Sequence, residues 1–363
     1  MPGGQPECTL RAAIQEANGR AGTDTIEFEI PGGSVPTITP GSPLPAATDA
    51  VTIDGTTQPE GQVELDGTSA AGTGLTIAAD DSVVRGMAVN RFAFGGITVV
   101  GANNATLEAN RIGTGPDGLN ARANGLHGVL LNDASNAVVH GNQIAGNDGP
   151  GVLIDGSGTP VSGVMLIDNQ IGGAQAGDGL GNTGVGVHAL NAHQLTIGGT
   201  TPGDGNLISG NGAGGIVIEG VPGMDDLNQL FGNLIGTDST GFFAYPNLGD
   251  GVRLGPDSAF NVIGGLASGT GNLINNNLGN GVRAEGNATV LQGNRIMNNQ
   301  VDPGAPLNAS GHGALISGSG NTIGDSDHAG GNLIVGNGGD GILVFSGNTL
   351  ITRNSIFDNA GLG

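Results

Sequence analysis

The sequence has no tryptophan, no lysine, one tyrosine and one cysteine in 363 residues. With only nine phenylalanines besides, it cannot build a core around large rings, and it has few platforms for stacking against sugars. A lone Cys8 excludes an intrachain disulfide. No apolar run approaches the length of a membrane span. Positive charge is scarce. Ten basic residues, all arginine, face 32 acidic ones, for a net charge of −22. That field repels phosphate backbones and anionic membrane surfaces, so neither nucleic acid nor membrane is an expected partner. It favours solubility and suits divalent cations. No signal peptide is visible, and Met1-Pro2-Gly3-Gly4 reads as a trimmed start. Ile356 to Gly363 still read as repeat, so further coils or a cap are expected beyond them.

What the chain has in abundance is glycine, with 74 copies. Composition of that kind often signals disorder, but here the glycines alternate with short β-branched runs, as tight turns between strands do. An Asn-x-Ile phrase recurs at Asn110, Asn142, Asn169, Asn206, Asn233, Asn272, Asn294, Asn332 and Asn354, with a shortest spacing of 22 residues. Gly-initiated strands, typically of the form Gly-Val-x-Leu or Gly-Ile-x-Val, interleave with it, beginning at Gly96, Gly128, Gly151, Gly186, Gly215, Gly251, Gly281, Gly313 and Gly341. Such strands are too short to form a sheet alone. Stacked in register at about 4.8 Å per rung, they bury continuous columns of Val, Ile and Leu. Asparagines at a fixed corner can then bond from coil to coil. The glycine before each strand is expected to supply a positive φ at the corner. The pattern predicts an all-β chain, a single right-handed parallel β-helix.

The first segment differs. Thr9 to Asn18 has Thr9 as a cap, Leu10, Ala13, Ile14 and Ala17 on one face, and Asn18-Gly19 as a stop. This amphipathic helix is expected to cover the open apolar end of the first coil. The domain reading is therefore a cap over residues 1–23 and a β-helix over 24–363. Strands are expected at Ile26 to Ile30, Val51 to Asp54, Val63 to Asp66 and Leu75 to Ala78, with coil boundaries between 24 and 90 left open.

Glu7-Cys8-Thr9-Leu10-Arg11-Ala12-Ala13-Ile14 resembles the CSLREA-type N-terminal motif of bacterial surface and secreted proteins. The repeat body resembles the right-handed parallel β-helices of the pectate-lyase-like superfamily. Ile235-Gly236-Thr237-Asp238-Ser239-Thr240-Gly241 is a phrase such repeats often carry, and residues 112–118 are a looser copy. The resemblance implies an extracellular or bacterial cell-surface location. It does not select an activity, because that superfamily holds lyases, hydrolases, epimerases, adhesins and tailspikes. Cys8 matches the motif's cysteine and is expected as a buried cap residue.

Catalytic elements of these relatives are incomplete here. Gly311-His312-Gly313 matches one polygalacturonase element, with His312 expected at a corner. Asp225-Asp226 lies 86 residues before His312, and elements needing lysine cannot exist. The epimerase motif Asp-Pro-His-Glu is absent. Arginine-based lyase chemistry stays open, and alternation tests it. The x residue of each Gly-initiated strand points outward, giving Thr98, Leu130, Leu153, His188, Val217, Arg253, Arg283, Leu315 and Leu343. The next outward position includes Glu219 and Glu285. Ranks of outward threonine, as an ice-binding face needs, are missing. His188, Glu219, Arg253, Arg283 and Glu285 are expected to gather on four middle rungs and are the catalytic candidates. Arg253, Arg283 and Glu219 are also ligand candidates, since arginine can clamp a uronate carboxylate. The simpler alternative is a cross-strand salt-bridge ladder.

Three insertions, near 113–123, 172–182 and 236–247, follow Ile-Gly corners and are expected to decorate one side. The third holds Phe242, Phe243 and Tyr245. Phe243 and Tyr245 are ligand candidates, or rings folded back over the apolar surface. Ca²⁺ is the cofactor the acidity would suit. Asp178 and Asp250 in Asp-Gly turns, and Asp238, are its candidate ligands, although a single turn supplies too few oxygens. The functional expectation is a non-catalytic secreted or cell-surface module, a rigid stalk or an adhesive surface for polysaccharide or cell-surface glycan. The alternatives are a polysaccharide lyase or hydrolase using the middle-coil patch, and a structural repeat that assembles end to end. Oligomeric state is not legible.

Overall fold

A computed structural model describes residues 8–174, 178–300, 311–325 and 330–363. The chain winds through three long sheets, and every strand pairing among the described residues is parallel. Sheet A holds twelve strands, from Asp24–Glu27 to Leu350–Thr352. Sheet B holds twelve, from Thr37–Ile38 to Ser355–Phe357, and sheet C ten, from Leu75–Ile77 to Ile342–Val344. Each turn of chain visits A, then B, then C, so each sheet grows by one strand per coil. This is the architecture of a right-handed parallel β-helix.

Stacking explains why strands of two to four residues persist. The isoleucine of each Asn-x-Ile phrase pairs directly with the next, as Ile208 does with Ile235 and Ile235 with Ile274. From Ile112 to Ile334 these side chains are fully buried. Each contributes about 1.5–3 kcal/mol by leaving water. The corner between A and B is held by the expected amide ladder. Asn169 Nδ2 donates to Asn206 Oδ1 at 2.9 Å, and Asn206 Nδ2 donates to Asn233 Oδ1 at 3.0 Å. Each backbone N–H also donates to the next side-chain oxygen.

A second ladder runs along the corner between B and C. Asn147, Asn182, Asn211, Asn247 and Asn277 bond in the same way at 2.9 or 3.0 Å. In an uninterrupted coil its asparagine stands five residues after the first, as in Asn206 and Asn211 or Asn272 and Asn277. The three insertions open between the two asparagines of a coil and close on Asn124, Asn182 and Asn247. They therefore leave one corner on alternate rungs, as expected. Bridges between Thr114 and Ala121 and between Thr237 and Ala244 give the first and third the same internal geometry.

Two expectations need correction. The strand-initial glycines do not have positive φ; that conformation falls on other glycines, such as Gly113 and Gly236, and on non-glycine corner residues such as Ala109 and Asn276. The strand-initial glycines are demanded by close packing. A Cβ on Gly151 would stand 2.7 Å from the Ile171 side chain and 2.8 Å from both the Asn182 amide and the Gly186 carbonyl oxygen. Cys8 is exposed rather than buried, because it precedes the helix cap and no coil packs over it.

The helix forms where expected. It is α1, Leu10–Ala17, with the Thr9 hydroxyl accepting from Ala12 N–H. Leu10, Ile14 and Ala17 join the core that runs through the coils. Among the opening strands, Val51–Asp54 and Val63–Asp66 match the expected bounds and Leu75–Ile77 is one residue shorter, while the first lies at Asp24–Glu27. Glu7 of the N-terminal motif, with residues 175–177 of the second insertion, lies outside the described residues.

Candidate functional site

The outward column of sheet C is realised residue for residue. His188 pairs with Val217, Val217 with Arg253, Arg253 with Arg283, and Arg283 with Leu315. Alternation puts these side chains outside because their neighbours, Val187, Ile216, Val252 and Val282, are fully buried. All five catalytic candidates therefore come together on the strands Val187–Leu190, Ile216–Glu219, Val252–Leu254 and Val282–Ala284 and the residue that follows the last of them.

Their charges are spent on one another. Arg253 donates through Nη1 to Glu219 at 2.9 Å, and through Nε and Nη2 to Glu285 at 3.1 and 2.8 Å. Arg283 donates through Nε and Nη2 to the other oxygen of Glu285, at 3.1 and 2.6 Å. Glu285 thus sits between two guanidiniums, with only 15% of its side chain exposed. Burial pushes its carboxyl upward, but the hydrogen bonds and charges of Arg253 and Arg283 prevail and hold it below the usual range. Glu219 has Arg253 as its ion-pair partner and is 34% exposed. The cluster is a charge-balanced ladder of two arginines and two glutamates. His188 is half-buried beside it. Burial holds its imidazole below the ordinary value, against the raising pull of Glu219 and with the help of Arg253.

The other candidates lie elsewhere. Tyr245 turns inward from the third insertion, and its hydroxyl donates to Asp178 Oδ1 of the second at 2.5 Å. Its ring fills the space above Gly173 and Gly210. Burial, then the Asp178 hydrogen bond, push its phenol far up. Phe242 and Phe243 point to solvent, at 85% and 70% exposure. Tyr245 is thus a strut between insertions, while Phe243 is free to meet a partner.

The calcium candidates are separate. Asp178 also accepts from Ala174 and Leu180 N–H. Asp238 accepts from Thr240 and from Phe242 and Phe243 N–H, closing its own turn. Asp250 is taken up by Asn280, and burial raises its carboxyl. Among the described residues no group of three His, Cys, Asp or Glu side chains gathers to hold a metal. His312 lies at a corner, buried, with Nδ1 accepting from Asp340 N–H. Asp226 is fully buried, accepts from Val221 and Ala259 N–H, and clips neighbouring coils together. His312 and Asp226 are thus bonded into the frame.

The fold is that of a right-handed parallel β-helix. Residues 52–221 match the family model described as a right handed beta helix region. No curated protein sequence matches the chain. Among solved structures it is similar to the Dettilon tailspike protein, at 18% identity and TM-score 0.56, covering 97% of this chain and 64% of that one. It is similar to a tailspike of E. coli bacteriophage HK620 solved in complex with a pentasaccharide, at 12% identity and TM-score 0.52, covering 98% and 62%. A periplasmic alginate epimerase matches at 14% identity and TM-score 0.50, covering 88% and 78%. The chain thus spans less than two thirds of the tailspikes it resembles. At these identities the likeness is one of fold. No helix among the described residues is long and apolar enough to cross a membrane.

Proposed function

We propose that the protein is a non-catalytic module, exported or displayed at a bacterial cell surface, that serves as a rigid stalk whose sheet C face adheres to polysaccharide. The observation that carries this reading is the Arg253–Glu219–Arg283–Glu285 ladder. A general base needs a free lone pair near neutral pH, whereas Glu285 is held ionised and bracketed by two guanidiniums. An arginine that activates a substrate needs donors that are not already bonded. What the ladder offers instead is a pre-ordered strip of acceptors and donors for sugar hydroxyls, with Glu219 the more open acceptor. The pentasaccharide held by a protein of the same fold is consistent with such a surface. The location rests on the resemblance of residues 7–14 to a CSLREA-type motif.

One observation favours catalysis. His188, half-buried and two rungs from Arg253, is the group best placed to take a proton. A panel of acidic and neutral polysaccharides, read for binding, unsaturated products and reducing ends, separates the two. Binding without turnover, abolished by Arg253→Ala with Arg283→Ala, is the expected result. Turnover lost on His188→Ala would establish an enzyme. Silence on every polymer would remove the adhesive role.

A further inference from the structure

Sheet B carries a different chemistry from sheet C. The x residue of each Asn-x-Ile phrase points outward from it, so Leu234, Leu273, Arg295 and Leu333 stand on successive rungs. The leucines are half-buried and Arg295 is exposed. Among the described residues Arg295 is the one arginine without a hydrogen bond or ion pair. The others are taken by carboxylates, carbonyls or side-chain oxygens, as Arg85 is by Asp54 and Arg11 by Pro43 and Ser42, or have other interactions. Beside Arg295 lies a recess of about 470 Å³, walled by the loop 264–271 with Leu266 and floored by Leu234 and Leu273. Among the described residues no acidic side chain lines it, in a chain that has 32. The tip of the third insertion closes the floor on one side, where a Cβ on Gly241 would stand 3.0 Å from Leu273.

We infer that this recess is a ligand subsite that takes a carboxylate of a linear acidic oligosaccharide. The guanidinium's parallel N–H groups match the two carboxylate oxygens. Leu273 and Leu333 on the flanking rungs meet the C–H faces of the neighbouring sugar rings. An apolar, cationic, apolar floor thus fits a uronate chain. A phosphate backbone would need several cations, and one arginine in a field of −22 does not provide them. The subsite lies on another face from the ladder and does not depend on it.

The test is calorimetric titration of the full chain with tri-galacturonate and tri-mannuronate, and with their methyl esters. At least one acid trimer is expected to bind and its ester to bind much more weakly. Arg295→Ala should weaken the acid trimer at least tenfold, and Arg295→Lys should restore part of the loss. Repeating the titration in an Arg253→Ala, Arg283→Ala background removes the sheet C surface, and the binding that remains there should be the part that Arg295→Ala abolishes. Arg295 is exposed, so its variants should melt with the parent, and that melting curve is the folding control. In that double-variant background, binding that survives Arg295→Ala, equal binding of acid and ester, or no binding of either acid trimer at millimolar concentration would overturn the inference.

Discussion

Two faces of one helix use arginine in opposite ways. On sheet C, Arg253 and Arg283 occupy neighbouring rungs and share Glu285 between them, with Glu219 completing the set. On sheet B, Arg295 stands between leucines, and no carboxylate among the described residues pairs with it. Both faces obey the same stacking rule, by which whatever is outward on one rung lies about 4.8 Å from its counterpart on the next. When a coil places unlike charges on successive rungs, they neutralise each other and stiffen the surface. When it places a charge among hydrocarbons, the charge stays available. Availability is therefore set by neighbours one coil away, tens of residues distant in sequence.

The comparison presumes one frame under both faces, so the largest effect should come from breaking it. Asn206→Ala removes an amide that joins Asn169 to Asn233 and also bonds the Leu166 carbonyl. It strands buried partners on both sides and should cost about 3 kcal/mol or more, seen as a lowered denaturation midpoint. Gly151→Ala acts on the same frame by steric conflict with Ile171 and Gly186 and should cost about 1–3 kcal/mol.

On the ladder, Glu285→Ala leaves two guanidiniums facing each other and should cost about 1–3 kcal/mol. Its pH dependence follows from linkage. The folded carboxyl is held below its ordinary range, against burial, by the two arginines. Its stabilisation is complete above the unfolded value of about 4.3 and fades as pH falls through the lower folded value. Stability curves of the parent and Glu285→Gln should converge in acid and separate towards neutrality. The smallest effect is expected at Arg295→Ala, within about 0.5 kcal/mol. A large loss there would mean that Arg295 is also a structural residue and would erase the contrast between the faces.

Much of this was legible before any coordinates. Asn-x-Ile gave the first ladder, Gly-[Val/Ile]-x-[Val/Leu] gave the outward column of sheet C, and Ile-Gly marked the three insertions. Arg295 and the second ladder were equally readable, the one by applying alternation to Asn-x-Ile and the other from the asparagine five residues on. The paired state of Arg253 was a stated alternative that spacing could not decide, because side-chain rotamers choose whether a carboxylate turns toward its neighbour or toward solvent. The inward turn of Tyr245 depended on a space above two glycines that only adjacent coils create.

Periodicity by itself determined the β-helix, its register and the side of each sheet on which a residue stands, because a strand of period two stacked on its own repeat has no other way to bury its isoleucines. The tertiary structure decided which glycines needed an unusual backbone and which needed only space. It also decided which charges were spent and which stayed free, since these depend on contacts between coils at ranges of a few ångströms, where the geometry of individual side chains outweighs any pattern along the chain.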